Sequence, residues 1–463
     1  MTTTFEIEIP ISPSFHAPSE TVKATKKEKK KQVWVEAYGC SASVADSEII
    51  KGILLNGGYE LAADSQASDL NLLVTCGVKE STEHKMLSRI REFGDSKKPI
   101  VVAGCLPKAD RNLVEKFCSH ASLLGPHSLD MTLSVVDSCM KGRKAVALTD
   151  SKHHKLNLPM LRVNPTVGIV QISSGCLSNC SFCQTKLAKG TLRSYRIGDI
   201  IRQVEVNVLD GCKEIWLTST DNGCYGFDIK TDLVDLLNAC SAIPGDFQIR
   251  VGMMNPVYVP FFMDRLITTY LENAKIFKFI HIPIQSGSDR ILRKMKRGHT
   301  ARMFSRIIAS FRKLIPGITI ATDLITGFPS ETEEDFQRTV ALIKATEPDV
   351  VNSSRFSSRP GTVASKFPKV DLNEVMNRTK RLHGVIKTVS QRRNQFWKGW
   401  EGKIVIDEVN DKFIQGRNYA YKPIVIEKKS IDQKLKKSQF LGAILRVKVI
   451  EISNFSLKGS ILK

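Results

Sequence analysis

From residue 33 onward the chain alternates short apolar runs with longer stretches of helical periodicity. VWVEAY (33–38), DLNLLVT (69–75) and PIVVAG (99–104) are largely apolar and lack strict alternation. Such runs read as parallel strands covered on both faces. Asp46 to Leu55 and Glu83 to Phe93 read as helices between them. Together they predict a small parallel α/β domain over 33–150. Residues 151–165, with His153, His154, Pro159 and Pro165, read as a linker. A longer alternation then fills 166–399. Its strand candidates are VGIVQIS (167–173), EIWLTST (214–220), FQIRVGM (247–253), FKFIHIPI (277–284), ITIATDLITG (318–327) and VVNSSRFS (350–357). Ser330 and Glu333 match a capping box ahead of a helix from Asp335 to Ala345. Six such units are too few for an eight-fold barrel. They predict an open, partial barrel whose working face lies at the strand C-terminal ends. Residues 371–399 read as one long basic helix. From 400 to 463 the pattern changes to KIVIDEV, FIQGRNYAYKPIVIE and LRVKVIEIS, which carry no helix signal and predict a small β-barrel.

Composition narrows the class. The 463 residues are enough for about three domains. Lys and Arg number 68 against 47 Asp and Glu, a net charge of +21 that favours polyanionic partners. No stretch approaches the roughly 18 apolar residues of a membrane span. The chain is therefore expected to have no membrane anchor. The N-terminus lacks the basic-then-apolar order of an export signal, and Glu6, Glu8 and Glu20 argue against a transit peptide. A cytoplasmic protein is expected. Residues 1–32, with the run Lys26-Lys27-Glu28-Lys29-Lys30-Lys31, read as a solvated tail, with a nonspecific nucleic-acid arm as the rival.

The 11 cysteines are an odd number in a long chain without an export signal, which argues against a disulfide framework. GCLSNCSFC places Cys176, Cys180 and Cys183 in a C-x3-C-x2-C run just past the first strand of the six-unit domain. Three thiolates so close together can hold three irons of a [4Fe–4S] cube and leave the fourth open to a small chelator. Zinc with a distant fourth ligand and unliganded core thiols are the rivals. Cys40, Cys76 and Cys105 are far apart, yet each follows one of the three N-terminal strands. Strand C-terminal ends share one edge of a parallel sheet. Three thiols can therefore converge there on a second cluster; strand ends also finish often in a buried cysteine. Cys118, Cys139, Cys212, Cys224 and Cys240 show no ligand spacing and read as buried or incidental.

The triplet, with Phe182 as the aromatic before Cys183, resembles the radical S-adenosylmethionine superfamily. The resemblance implies that the open iron binds S-adenosylmethionine, and that one electron then releases a 5′-deoxyadenosyl radical. YGCSASVADSE, TCGVKEST and VAGCLPK resemble the N-terminal domain of the methylthiotransferases. That likeness implies an auxiliary [4Fe–4S] cluster on Cys40, Cys76 and Cys105. Ser43 stands where many bacterial members have Asn, which fits the archaeal and eukaryotic branch. LTSTDNGCYG (217–226) resembles the branch acting on threonylcarbamoyl-adenosine and makes Asp221 a candidate cofactor contact. HIPIQSGSD (281–289) and TDLITGFPSET (322–332) likewise offer Gln285 and Asp323.

GRNYAYKPIVIE (416–427) resembles the RNA-binding TRAM domain. Arg417 and Lys422 would neutralise phosphates, and Tyr419 and Tyr421 would stack on bases. A solvated face with packed tyrosines is the alternative. Arg378, Arg381, Arg392, Arg393 and Lys398 would extend the basic patch. The resemblance covers ~33 to 460. It implies methylthiolation of carbon 2 of threonylcarbamoyl-adenosine beside the anticodon, with two [4Fe–4S] clusters and S-adenosylmethionine. The implied partners are the tRNA anticodon loop, a reductant protein and a sulfur source. Isopentenyl-adenosine in tRNA, a ribosomal protein substrate, and a non-catalytic iron–sulfur RNA-binding protein are the alternatives.

Overall fold

The computed structural model describes residues 30–77, 80–151, 154–428 and 440–462. Residues 1–29 of the predicted tail, with Lys26, Lys27 and Lys29 of its lysine run, and Lys152 and His153 of the predicted linker lie outside the described residues. The chain forms two compact units that divide after Val163.

The first unit contains β1 (Gln32–Ala37), α1 (Ser41–Asn56), β2 (Glu60–Leu61), β3 (Leu70–Thr75), α2 (Glu80–Asp95), β4 (Ile100–Gly104), α3 (Cys105–Ala109), α4 (Arg111–Phe117), β5 (Ser122–Leu124), α5 (Thr132–Met140) and β6 (Val146–Ala147). Its six strands run parallel in the order β2-β1-β3-β4-β5-β6. β3 and β4 are buried at every position, because helices cover both faces. Leu72 and Val74 pack with Ile50 and Leu54 of α1, while Leu73 and Val102 pack with Ile90, Phe93 and Val114. Alternate side chains of one strand thus feed two cores. Three strands were expected; β2, β5 and β6 are two or three residues long, too short to show a period. Helix α1 begins at Ser41 rather than Asp46. Its buried face carries Asp46, Ser47 and Glu48, which hides it from an apolar pattern. Those groups tie down the segment that follows the sheet. Lys155 pairs with Asp46 at 2.7 Å, and Val163 N donates to Glu48 at 2.8 Å.

The second unit opens with β7 (Val167–Gln171), β8 (Ser173–Ser174), α6 (Thr185–Lys189) and β9 (Arg193–Ser194). It continues with α7 (Ile197–Leu209), β10 (Glu214–Thr218), α8 (Leu233–Ser241), β11 (Gln248–Val251), α9 (Met263–Glu272), β12 (Phe279–His281), α10 (Asp289–Lys294), α11 (Ala301–Leu314), β13 (Thr319–Thr326), α12 (Glu333–Thr346) and β14 (Val350–Arg355). Parallel sheets β7-β10-β11 and β12-β13-β14 are joined by bridges Ile249–Ile276 and Met253–His281. The strands therefore follow one another in chain order, as the partial barrel requires. The run 277–284 contracts to β12: Lys278 N donates to Tyr419 O instead, and Pro283 has no N–H. The capping box is made by Thr332 and Asp335, not Ser330 and Glu333. Ser330 takes φ 67 in the preceding turn, and Glu333 already lies in the first helical turn.

Helix α13 (Leu372–Gln395) leads to β15 (Glu401–Val409), β16 (Phe413–Arg417), β17 (Pro423–Glu427), β18 (Ile444–Ile452) and β19 (Leu457–Ile461). These five strands close in the order β15-β16-β17-β19-β18. Ile404, Ile406, Ile424, Ile426, Val447 and Val449 point inward at alternate positions around Trp397. No helix among the described residues is long and apolar enough to cross a membrane.

Candidate functional site

The cysteine triplet lies in the loop that leaves the first barrel strand. Gly175, at φ +71, lets the loop close: a Cβ there would stand 1.8 Å from Thr191 O. Cys176 N donates to Gly190 O, and Lys186 to Cys176 O. Ser181 straps the middle of the loop to the end of α10 through Met295 O (3.0 Å) and Lys294 O (2.8 Å). Phe182 meets Phe328 edge-on at 6.4 Å, within an apolar cluster containing Ile291, Met295 and Ala364. Its observed work is to anchor the loop. Cys176 is buried, while Cys180 and Cys183 are partly exposed. Burial and the neighbouring sulfurs of Cys180 and Cys176 push the Cys183 thiol up to about 11.

Asp221 lies against this loop. One carboxylate oxygen accepts from Gly223 N and Asn255 N, both at 3.0 Å; the other is 3.9 Å from Cys176 Sγ. Burial raises its pKa. Sequence reading missed two neighbours. Cys224, fully buried, lies with Asp221 and Cys176 in a group whose donor atoms are all within 4.8 Å of one another. The hydrogen bond between the two thiols favours Cys176 as thiolate and pushes Cys224 up. Arg297 donates from Nη1 to Cys180 Sγ at 3.4 Å. Cys224 had no ligand spacing to mark it, and Arg297 is hidden in the basic stretch RKMKRGH (293–299). Three soft cysteine sulfurs, two of them partly exposed, and a buried cation suit a cluster held on one side.

Gln285 and Asp323 come together on the other half of the barrel. Gln285, at φ 72, donates its N–H to Asp323 O and bridges Leu324. The Asp323 carboxylate meets His281 Nε2 at 3.0 Å and Asn352 Nδ2 at 2.9 Å.

In the first unit, Cys40, Cys76 and Cys105 stand at the C-terminal ends of β1, β3 and β4. Cys40 caps α1, whose N-terminal dipole favours a thiolate. Gly39 takes φ +119, and a Cβ on it would stand 2.2 Å from Cys76 Cβ. Gly104, at φ +93, would meet Thr75 O at 2.4 Å. Two glycines thus let the first and third thiols close on the second. Cys76 is pushed well above its ordinary pKa by its hydrogen bond with Cys40, by burial, and by the Cys40 and Cys105 charges. Three thiols this close cannot all ionise without a cationic group among them, and an iron–sulfur cube is such a group.

The predicted RNA contacts in the C-terminal barrel are mostly corrected. Lys422 is 3% exposed and pairs with Asp349 at 3.2 Å. Arg417 pairs with Asp407 at 2.8 Å. Burial works against the Arg417 charge, but Asp407 overrides it and raises its pKa. Tyr421, at φ 60, packs on Phe277 (4.9 Å) and Phe279 (5.0 Å). Lys422 and Tyr421 therefore join the small barrel to the larger one, while the Arg417–Asp407 pair lies within the small barrel. Of the four, Tyr419 alone is exposed, at 39%, with its ring beside Trp397 and Trp400. The basic helix is also largely neutralised. Arg378 pairs with Glu331 and Glu374, Arg381 with Glu333, Arg392 with Glu347, and Arg393 with Asp349; Lys398 stays exposed.

The family model described as "Radical SAM superfamily" matches residues 170–343, and "Uncharacterized protein family UPF0004" matches 32–125. The radical S-adenosylmethionine methyltransferase TsrM from Kitasatospora setae superposes with a TM-score of 0.53 at 14% identity, covering 73% of this chain and 77% of that one. The fold and the cysteine loop thus define a radical S-adenosylmethionine enzyme. "Probable threonylcarbamoyladenosine tRNA methylthiotransferase" of Pyrococcus horikoshii is 41% identical over 81% of this chain and 88% of its own length. The human "Threonylcarbamoyladenosine tRNA methylthiotransferase" is 33% identical over 92% of this chain and 73% of its own. The chain belongs to the threonylcarbamoyladenosine tRNA methylthiotransferase family.

Proposed function

We propose that this chain inserts sulfur and a methyl group at carbon 2 of threonylcarbamoyl-adenosine at position 37 of tRNA. The observation that carries the reading is the gathering of two separate cysteine trios, one past each family-matched set of strands. Cys176, Cys180 and Cys183 would hold one [4Fe–4S] cube, and Cys40, Cys76 and Cys105 a second. When bound, the cubes and S-adenosylmethionine supply the one-electron chemistry, the sulfur and the methyl group. The protein's own residues do the holding. Ser181 and Phe182 fix the loop, Cys224 donates toward Cys176, and Asp221 organises the adjoining turn around its carboxylate. Asp221, Gln285 and Asp323 are the polar groups assigned to cofactor contact.

The target base sits in an anticodon loop, where an unstacked adenine is reached at low cost. With Arg417, Lys422 and Tyr421 engaged inside the protein, phosphate contact falls to exposed lysines such as Lys398 and Lys403, with Tyr419 as the remaining ring. A reductant protein, a sulfur source and a cytoplasmic setting complete the reading. Nucleoside analysis of tRNA from cells with and without the chain tests it. The methylthio form of threonylcarbamoyl-adenosine should disappear with the chain. Its persistence, or loss of a methylthiolated isopentenyl-adenosine or ribosomal protein instead, would overturn the substrate assignment.

A further inference from the structure

Resting on the reading that the triplet holds an iron–sulfur cube, we propose that Arg297 is the cube's counter-charge and holds its reduction potential up. The local chain explains why a basic residue points inward here. Helix α10 ends at Lys294, and Lys296 (φ 55) and Gly298 (φ 73) both take left-handed backbone. Arg297 N closes onto Leu292 O at 3.1 Å. This double reversal turns Arg297 inward beside the exposed Arg293 and Lys296, so that it is 7% exposed.

Once inside, it makes no ion pair, although the buried Asp221 carboxylate is near enough to feel its charge. Nη2 donates to Pro283 O at 2.9 Å and Nη1 to Cys180 Sγ at 3.4 Å, while Nε has no partner. Among the described residues no carboxylate lies at ion-pair distance. A buried guanidinium facing a carbonyl and a sulfur, with no ion-pair partner, is costly. An anion filling the space in front of it offsets that cost. A cube held by three thiolates is net negative, and becomes more so when it accepts an electron.

The geometry is also fixed. Ser181 ties the cysteine loop to Lys294 O and Met295 O, three and two residues before Arg297. The Arg297–Cys180 contact therefore belongs to one rigid turn. A cation beside a ligand sulfur stabilises the reduced cluster more than the oxidised one, so it makes the cluster easier to reduce. Cys176 Sγ instead has Ser178 N at 3.3 Å, the Asp221 carboxylate at 3.9 Å and the Cys224 thiol beside it. The two sulfurs are thus loaded unequally, and Arg297 is the electrostatic element of the pair.

The test uses anaerobically reconstituted full chain in wild-type, R297K and R297M forms. Iron content is measured first. The potential is then followed on the paramagnetic signal that changes when S-adenosylmethionine is added. R297M should shift to a more negative potential, and R297K should stay near wild type. Loss of the cube in R297M but not in R297K would equally support a requirement for charge. A wild-type potential in R297M, an equal shift in both variants, or loss of the cube in both would overturn the proposal. If the wild-type chain itself shows no responsive cube, the triplet reading falls and this proposal with it. An intact cube with an unmoved potential sinks the role of Arg297 alone.

Discussion

Cys176, Cys180 and Cys183 fall within eight residues of chain, whereas Cys40, Cys76 and Cys105 are spread over sixty-six. The first trio is gathered by one loop, closed at Gly175 and strapped by Ser181. The second is gathered by a sheet. Its thiols meet only because β1, β3 and β4 pair in a fixed register, Ala37 opposite Val74 and Thr75 opposite Gly104. A slip of one residue would turn a cysteine to the other face of the sheet. The loop site therefore depends on local turns, and the sheet site depends on the whole first unit being folded.

This contrast can be broken most sharply at the cysteines themselves. Cys180→Ala should abolish both 5′-deoxyadenosine release and methylthiolated product, reducing each to background by mass spectrometry. Cys40→Ala, Cys76→Ala or Cys105→Ala should abolish the product and keep the 5′-deoxyadenosine. Equal loss of both in every variant would erase the distinction between the sites. Next in size is Gly39→Val. A branched side chain at φ +119, against Cys76, should displace Cys40 and lower iron by about half, leaving the triplet loaded. Gly198→Ala, where an added Cβ meets nothing within 4 Å, should leave iron unchanged and is the control.

One buried acid in each unit shows burial acting with and without compensating charge. Lys422→Met removes one of three cations around the buried Asp349 carboxylate and should destabilise the second unit by about 1–3 kcal/mol in denaturant melts. Burial opposes the Asp349 charge, but Lys422, Arg393 and Arg312 hold its folded pKa below the ordinary 3.8. Its stabilising contribution is thus present above about pH 4 and lost as pH falls through the lower folded value. Glu48 of the first unit runs the other way. Burial raises it from 4.5 to about 7, so the folded state holds a proton that the unfolded state has released. Stability of that unit should fall as pH rises from about 4.5 to 7, by on the order of 3 kcal/mol. Glu48→Gln should flatten that slope; an unaltered slope would show that other groups carry it.

The loop site was legible because its ligands share one short motif. The sheet site was legible only in part. Strand ends placed Cys40, Cys76 and Cys105 on one edge, but nothing in their spacing distinguishes three converging thiols from three buried ones. Gly39 and Gly104, which decide the matter sterically, look like ordinary turn residues. The closed C-terminal barrel followed from strict alternation. Its functional surface did not, because Arg417 and Lys422 look the same in sequence whether they face phosphate or a buried carboxylate. Their partners, Asp407 and Asp349, are supplied by folding. Arg297 was missed for the converse reason: a basic stretch reads as a solvated face, and only two left-handed residues turn one member inward.

The most direct measurement of the central claim is iron content after anaerobic reconstitution, with the wild-type chain beside a Cys40→Ala/Cys76→Ala/Cys105→Ala variant. The account predicts about eight irons per wild-type chain and about four in the variant. A wild-type chain that binds about four, with no change on removing those three thiols, would contradict it.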